Sequence, residues 1–161
     1  VKLDLDRTPT GRSELAVDSA LMLGLERGGP DTVRVAGNLE VQNLEQRFLV
    51  RGTLRASGAA ECGRCLREFS LAYEVPVDIV VLRDTASDEG EDDNLVIHQR
   101  AGEVDLTDAL RESAILAAPQ VKVCDPGCRG LCPRCGADLN AGDCGCSQRE
   151  NDPRWDDLPS A

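Results

Sequence analysis

A chain of 161 residues has room for one domain with a moderate core, and with two Phe, one Tyr and one Trp that core has to be built from Val, Leu, Ile and Ala. The net charge of −11 argues against coating nucleic acid through a broad basic surface and favours a basic protein partner, or a local basic patch on an acidic body. No run approaches the roughly 18 apolar residues of a membrane span, and Val1 to Leu15 shows neither a basic nor an apolar leader segment. A cytoplasmic location is therefore expected, with no membrane partner and no small-molecule substrate; Val at position one leaves open what precedes it.

Pro9, Gly11, Gly24, Gly28, Gly29 and Pro30 punctuate the first thirty residues. A short strand is expected near Lys2–Asp6 and another between Glu14 and Glu26, with turns between them. From Thr32 the pattern sharpens. Val33, Val35, Gly37, Leu39 and Val41 alternate with Arg34, Ala36, Asn38 and Glu40, the period of a half-buried strand. Gln46 to Ala56 repeats it: Phe48, Val50, Gly52, Leu54 and Ala56 share one face, and Arg47, Leu49, Arg51, Thr53 and Arg55 the other. In Glu68–Leu82 every odd position from Phe69 to Val81 is apolar, with Pro76 on the opposite face. Proline cannot donate to a ladder, so this strand should lie at an edge or be bulged there.

Asp84 to Asn94 holds six acids and no base, the composition of a solvated loop, and a short strand Leu95–Gln99 follows. Asp105 ahead of Leu106, Leu110 and Ala114, with Asp108 in the first turn, predicts a helix over 106–117 that Pro119 must end. The expected fold is α+β: an antiparallel β meander or barrel-like sheet with one covering helix and a C-terminal Cys-rich zinc module. The expected boundaries are a β-rich domain over 1–118, the Cys-rich module over 119–149 and an acidic tail over 150–161.

The eight cysteines fall in pairs: Cys62-x-x-Cys65, Cys124-x3-Cys128, Cys132-x-x-Cys135 and Cys144-x-Cys146. Two intervening residues let both sulfurs reach one tetrahedral zinc while the amides of the turn point at them. Gly63, Gly136 and Gly145 are each placed to supply a positive φ in such a turn. Eight ligands make two closed four-cysteine sites with none left over, so two structural zinc ions are expected. A disulfide framework would need oxidising surroundings that nothing indicates; unpaired thiols are the other alternative, and spacing alone leaves iron–sulfur ligation open.

Two pairings remain. In one, Cys132, Cys135, Cys144 and Cys146 form a compact local ribbon while Cys62 and Cys65 meet Cys124 and Cys128, clipping the segment after the helix onto the hairpin. In the other, one site is built from Cys124, Cys128, Cys132 and Cys135. A zinc closed by four cysteines has no open position for substrate. The sole histidine, His98, reads as a surface or edge residue, and no nucleophile elbow, phosphate loop or framed carboxylate pair is present.

Glu61-Cys62-Gly63-Arg64-Cys65-Leu66-Arg67-Glu68-Phe69 closes the meander; a helix leads to Pro119 and Cys124. Then come Cys128-Arg129-Gly130-Leu131-Cys132-Pro133-Arg134-Cys135-Gly136-Ala137-Asp138-Leu139-Asn140, Cys144-Gly145-Cys146 and Asp152-Pro153-Arg154-Trp155. This order resembles the YceD-like family, the large ribosomal RNA subunit accumulation proteins of bacteria and plastids. The resemblance implies a role in accumulation or processing of large-subunit rRNA, with the pre-ribosomal large subunit, rRNA or a basic ribosomal protein as partner. It brings no catalytic residues, so the expected function is non-enzymatic.

Within that role, Arg47, Arg51 and Arg55 recur every four residues on one strand face, about 13 Å apart, and Arg64 and Arg67 flank the cysteine turn. Together they form the candidate patch for RNA phosphate or another partner, against the plainer reading of a solvated face. The alternative is an acidic protein-binding module, a chaperone for a basic ribosomal protein, using Asp84–Asp93 and the tail. An enzyme such as a nuclease would need acid–base groups or an open metal site, and neither is found.

Overall fold

The computed structural model describes residues 1–24, 29–83 and 95–146. The acidic run from Asp84, the tail from Glu150 and the far end of the second expected strand lie outside the described residues. In chain order the elements are β1 (Lys2–Asp4), β2 (Gly11–Met22), β3 (Thr32–Asn43), β4 (Arg47–Glu61), β5 (Glu68–Leu82), β6 (Leu95–His98), β7 (Glu103–Asp105) and α1 (Thr107–Ala117).

β2 to β5 form the antiparallel meander that the alternation predicts, and β6 extends it. The addition of β6 is parallel, Ile79 opposite Leu95 through Leu82 opposite His98, so the sheet is mixed. Parallel neighbours cannot be joined by a tight turn, and residues 83–94 supply the connection. Among the described strands β2 and β6 each have a single neighbour, and the sheet is open. Pro76 pairs with Thr53 in a register that runs unbroken from Arg47–Leu82 to Glu61–Glu68. β6 reaches only the last four residues of β5, so Pro76 sits where β5 is an edge; there is no bulge.

Val33, Val35, Leu39, Val41, Phe48, Val50, Leu54, Val75, Ile79 and Val81 turn inward and are buried together. α1 covers this face with Leu110 and Ala114, preceded by the buried Leu106. The helix touches both β5 and β2, strands that are not neighbours, so the sheet curls around it. Gly37 and Gly52, at φ 149° and 154°, mark the bend. The β3–β4 ladder is interrupted between Ala36–Arg55 and Leu39–Gly52, and a Cβ on Gly37 or Gly52 would lie 3.1 or 3.0 Å from the buried Leu54 or Leu39 side chain. Glycine in a strand interior commonly marks such a sharp bend.

The first strand pairs with β7 in a separate two-stranded sheet, Leu3 opposite Val104, and closes the open side of the core. The helix starts one residue later than expected, with Leu106 and not Asp105 at its N-cap; Asp105 stands just ahead of it, its Oδ1 accepting from the Thr107 amide at 2.9 Å. The Tyr73 hydroxyl donates to the Ala114 carbonyl at 3.1 Å and ties the helix to β5. No helix among the described residues is long and apolar enough to cross a membrane.

Candidate metal centres

At its far end the β4–β5 hairpin is closed by Cys62-Gly63-Arg64-Cys65-Leu66-Arg67. The Cys62 amide donates to the Arg67 carbonyl and the Leu66 amide to the Cys62 carbonyl, both at 2.9 Å. The second C-x-x-C repeats this turn residue for residue: Cys132 donates to Ala137 at 2.8 Å and Gly136 to Cys132 at 2.9 Å. In both, the residue after the second cysteine is left-handed, Leu66 at φ 58° and Gly136 at φ 73°. Gly136 and Gly145, at φ 67°, supply the positive φ expected of them. Gly63 does not: Leu66 takes that conformation, and Gly63 instead donates its amide to the Lys122 carbonyl at 2.8 Å.

These turns aim amides at the first sulfur of each pair. The Arg64 amide lies 3.5 Å from Cys62 Sγ. The Cys65 amide, with those of Cys124 and Arg64, draws the Cys62 thiol down to about 6 against its burial. The Cys135 and Arg134 amides draw Cys132 down to about 6 in the same way. Their companions go the other way. The Arg67 amide favours the Cys65 thiolate, but burial and the sulfurs of Cys62, Cys124 and Cys128 outweigh it and push Cys65 up to about 12. Cys135 and Cys144, with burial, push Cys146 up to about 12. Four sulfurs this close cannot all ionise unless a cation sits among them.

The structure brings together Cys62, Cys65, Cys124 and Cys128 in one cluster, and Cys132, Cys135, Cys144 and Cys146 in another. Within each, all sulfurs lie within 4.8 Å of one another. Cys62 and Cys128 are 3.9 Å apart and Cys65 and Cys124 3.7 Å, close to the edge of about 3.8 Å of a tetrahedron with 2.3 Å metal–sulfur bonds. All eight are free of disulfides. The donor set and its spacing fit a metal ion in each cluster. The first clips the segment after the helix to the hairpin; the arrangement from Cys124, Cys128, Cys132 and Cys135 is not formed.

The first cluster has its own small apolar core. Cys62, Cys65 and Cys128 are buried with Phe69, Val123 and Leu131 packed against them. Arg64 and Arg67, expected at the partner surface, have contacts here. Arg64 Nη1 donates to the carbonyls of Cys128 at 2.9 Å and Pro126 at 3.3 Å, while its own carbonyl accepts from Leu131 at 3.0 Å. Arg67 Nη2 lies 3.6 Å from Cys124 Sγ. Two contributors carried no signal in the spacing: Leu66, through its backbone, and Asn140, whose side chain donates to Cys128 Sγ at 3.5 Å. Asn140 lies in an Asp-x-Asn turn, its amide donating to Asp138 Oδ1 at 2.9 Å, which is the one local hint of an ordered loop.

Arg47, Arg51 and Arg55 are exposed on the outer face of β4. Arg51 Nε donates to Asp78 Oδ1 at 2.9 Å across the β4–β5 ladder, and Arg55 stands opposite Glu74. The same face carries Arg34 on Asp18 and Arg12 on Glu40. His98 is exposed at the end of β6.

A family profile described as large ribosomal RNA subunit accumulation protein YceD matches residues 50–160, a span that includes most of the hairpin and all eight cysteines. An uncharacterized protein of Mycobacterium tuberculosis is 32% identical over 155 residues, covering 94% of this chain and 74% of the relative. The Arabidopsis thaliana protein named large ribosomal RNA subunit accumulation protein YCED homolog 1, chloroplastic, is 27% identical over 188 residues, covering 96% of this chain and 59% of its own. No solved structure matches.

Proposed function

We propose a non-enzymatic role in large ribosomal subunit biogenesis, supporting accumulation or processing of large-subunit rRNA, for this chain, which belongs to the YceD family of large ribosomal RNA subunit accumulation proteins. The observation that carries the proposal is that the family match runs over the hairpin turn and both cysteine clusters. The two clusters would each hold a structural zinc. Tetrahedral all-sulfur coordination suits that ion, and bound there it would add folding free energy. With four protein ligands per ion no position is left for a substrate or a water nucleophile, which supports a scaffold over a hydrolase. A ribosomal partner fits a cytoplasmic protein.

Arg47 and Arg55 remain the residues best placed to contact RNA phosphate, because Arg51 is engaged by Asp78. A second reading, binding of a basic ribosomal protein, is favoured by the cross-strand ion pairs that neutralise much of the positive charge on the outer face, and by the net charge of −11. Cross-linking in cells followed by denaturing purification of the chain separates the two. Direct capture of large-subunit rRNA supports the first, and capture of a basic large-subunit protein without rRNA supports the second. Absence of both, with large-subunit rRNA levels unchanged on depletion, would remove the ribosomal role.

A further inference from the structure

Resting on the metal reading above, we propose that Asn140 couples the two four-cysteine centres, so that ordering of the second holds a hydrogen-bond donor on a ligand sulfur of the first. Asn140 lies between Cys135 and Cys144, inside the ligand span of the second cluster. Its side chain acts on the first. Nδ2 donates to Cys128 Sγ at 3.5 Å and to Asp138 Oδ1 at 2.7 Å, and Oδ1 accepts the Arg129 amide at 2.8 Å.

These three partners fix the orientation of the amide. Reversed, its oxygen would face a carboxylate and a sulfur, and its NH2 would face an N–H. Cys128 lies outside both C-x-x-C turns, so the amide donor on its sulfur is supplied by the neighbouring centre. The backbone around it is joined in the same way: Leu139 donates to Gly130 at 2.9 Å, and Leu131 bridges to Asp138. The loop that ties Asn140 into this arrangement is itself closed by the second set of cysteines, so loading there holds the donor in place. Partners that orient a metal ligand are typically worth 10- to 100-fold in metal affinity, and a coupling of this kind is reciprocal between the two sites.

The test is titration of the reduced, metal-free full chain with Co(II), whose thiolate absorption reports each tetrahedral site. Cys124→Ser and Cys135→Ser serve to assign the first and second sites, and circular dichroism monitors the sheet. Cys135→Ser should leave one cobalt, bound at the first site about 10- to 100-fold more weakly than in the wild type. Asn140→Ala should bind two, with a similar loss at the first site when the second is already filled. The double variant should lose little more than either alone, because both remove the same interaction. Asn140→Asp keeps the acceptor for Arg129 but sets a carboxylate against the sulfur, and should weaken the first site at least as much as Ala.

First-site affinity within about twofold of wild type in Asn140→Ala, losses that add in the double variant, or wild-type affinity in Asn140→Asp would each overturn the coupling. Failure of the wild-type chain to bind any cobalt would overturn the metal reading, and this inference with it.

Discussion

Gly130 and Gly63 show how differently two glycines beside the cysteines are constrained. Gly130 has φ 75°, and a Cβ there would sit 2.9 Å from the Arg64 carbonyl oxygen that accepts the Leu131 amide. Alanine would meet both left-handed strain and a backbone clash. Gly130→Ala should destabilise the protein by about 1–3 kcal/mol and weaken the first metal site, as read by denaturant unfolding and metal titration. At Gly63 an added Cβ finds the Lys122 oxygen at 3.5 Å, an ordinary contact, and φ is not positive. Gly63→Ala should change stability by no more than about 0.5 kcal/mol, although it stands inside a C-x-x-C. A loss at Gly63 as large as that at Gly130 would show that the turn needs glycine at both. Arg64 belongs with Gly130: removing the guanidinium in Arg64→Ala frees two carbonyls around Cys128, and the expected result is lower first-site affinity with the second site unchanged.

The elements read from the sequence were those whose pattern repeats. The alternation of β3, β4 and β5 is set by burial of one face and α1 by its spacing, so β3, β5 and α1 are legible almost to their ends, whereas β4 is legible only to Ala56, because the small residues at 57–60 mark no face, and it runs on to Glu61. β7 and its pairing with β1 are not legible in the sequence, because strands of three residues carry too little alternation to show a register. The parallel placement of β6 depends on a connection whose acidic composition says only that it is solvated. The clusters of cysteines were legible because two of the four pairs have turn spacing. Leu66 and Asn140 were hidden, one because leucine is a poor marker of a left-handed turn, the other because its target is distant from its own pair of cysteines. The assignment of clusters predicts that Cys62→Ser and Cys128→Ser each lose one metal ion, and that Cys132→Ser and Cys144→Ser lose the other, by elemental analysis of purified protein. Retention of both ions in Cys62→Ser would refute the shared site. The helix start offers a pH test. The Thr107 hydroxyl and amide both donate to Asp105 and hold its carboxyl below the usual range. Its folded pKa lies below its unfolded one, so the stabilisation is complete above the ordinary carboxylate range and fades as pH falls through the lowered value. The stability gap between wild type and Asp105→Asn should therefore be widest near neutrality and shrink in acid; a constant gap would place the effect elsewhere.

On the scale of the whole molecule, the open sheet presents two unlike surfaces. Its inner face is filled by the helix and the β1–β7 pair. Its outer face is a field of charge in which acids stand beside most of the bases: Asp18 by Arg34, Glu40 by Arg12, Asp78 by Arg51. A chain of net charge −11 repels polyanions at a distance, so any affinity for RNA has to come from local contacts and will weaken steeply with salt. If the outer face holds phosphate, Arg47 and Arg55 should carry it, since neither is tied to a carboxylate as Arg51 is. Replacing both by Ala should flatten the dependence of log affinity on log salt by about 1.4, or roughly 0.7 per contact on single-stranded RNA. Adding Arg51→Ala should flatten it by much less than a further 0.7, because the released Asp78 remains nearby to repel the same phosphate. The sheet should stay folded throughout, since all three side chains are exposed. If the surface instead serves a basic protein, the double change should leave that capture intact, while neutralising Asp88, Glu89, Glu91, Asp92 and Asp93 should abolish it. Titrations of both variants against both partners over a salt series decide between the faces, and RNA binding that survives the triple arginine change undiminished would place the RNA surface away from β4.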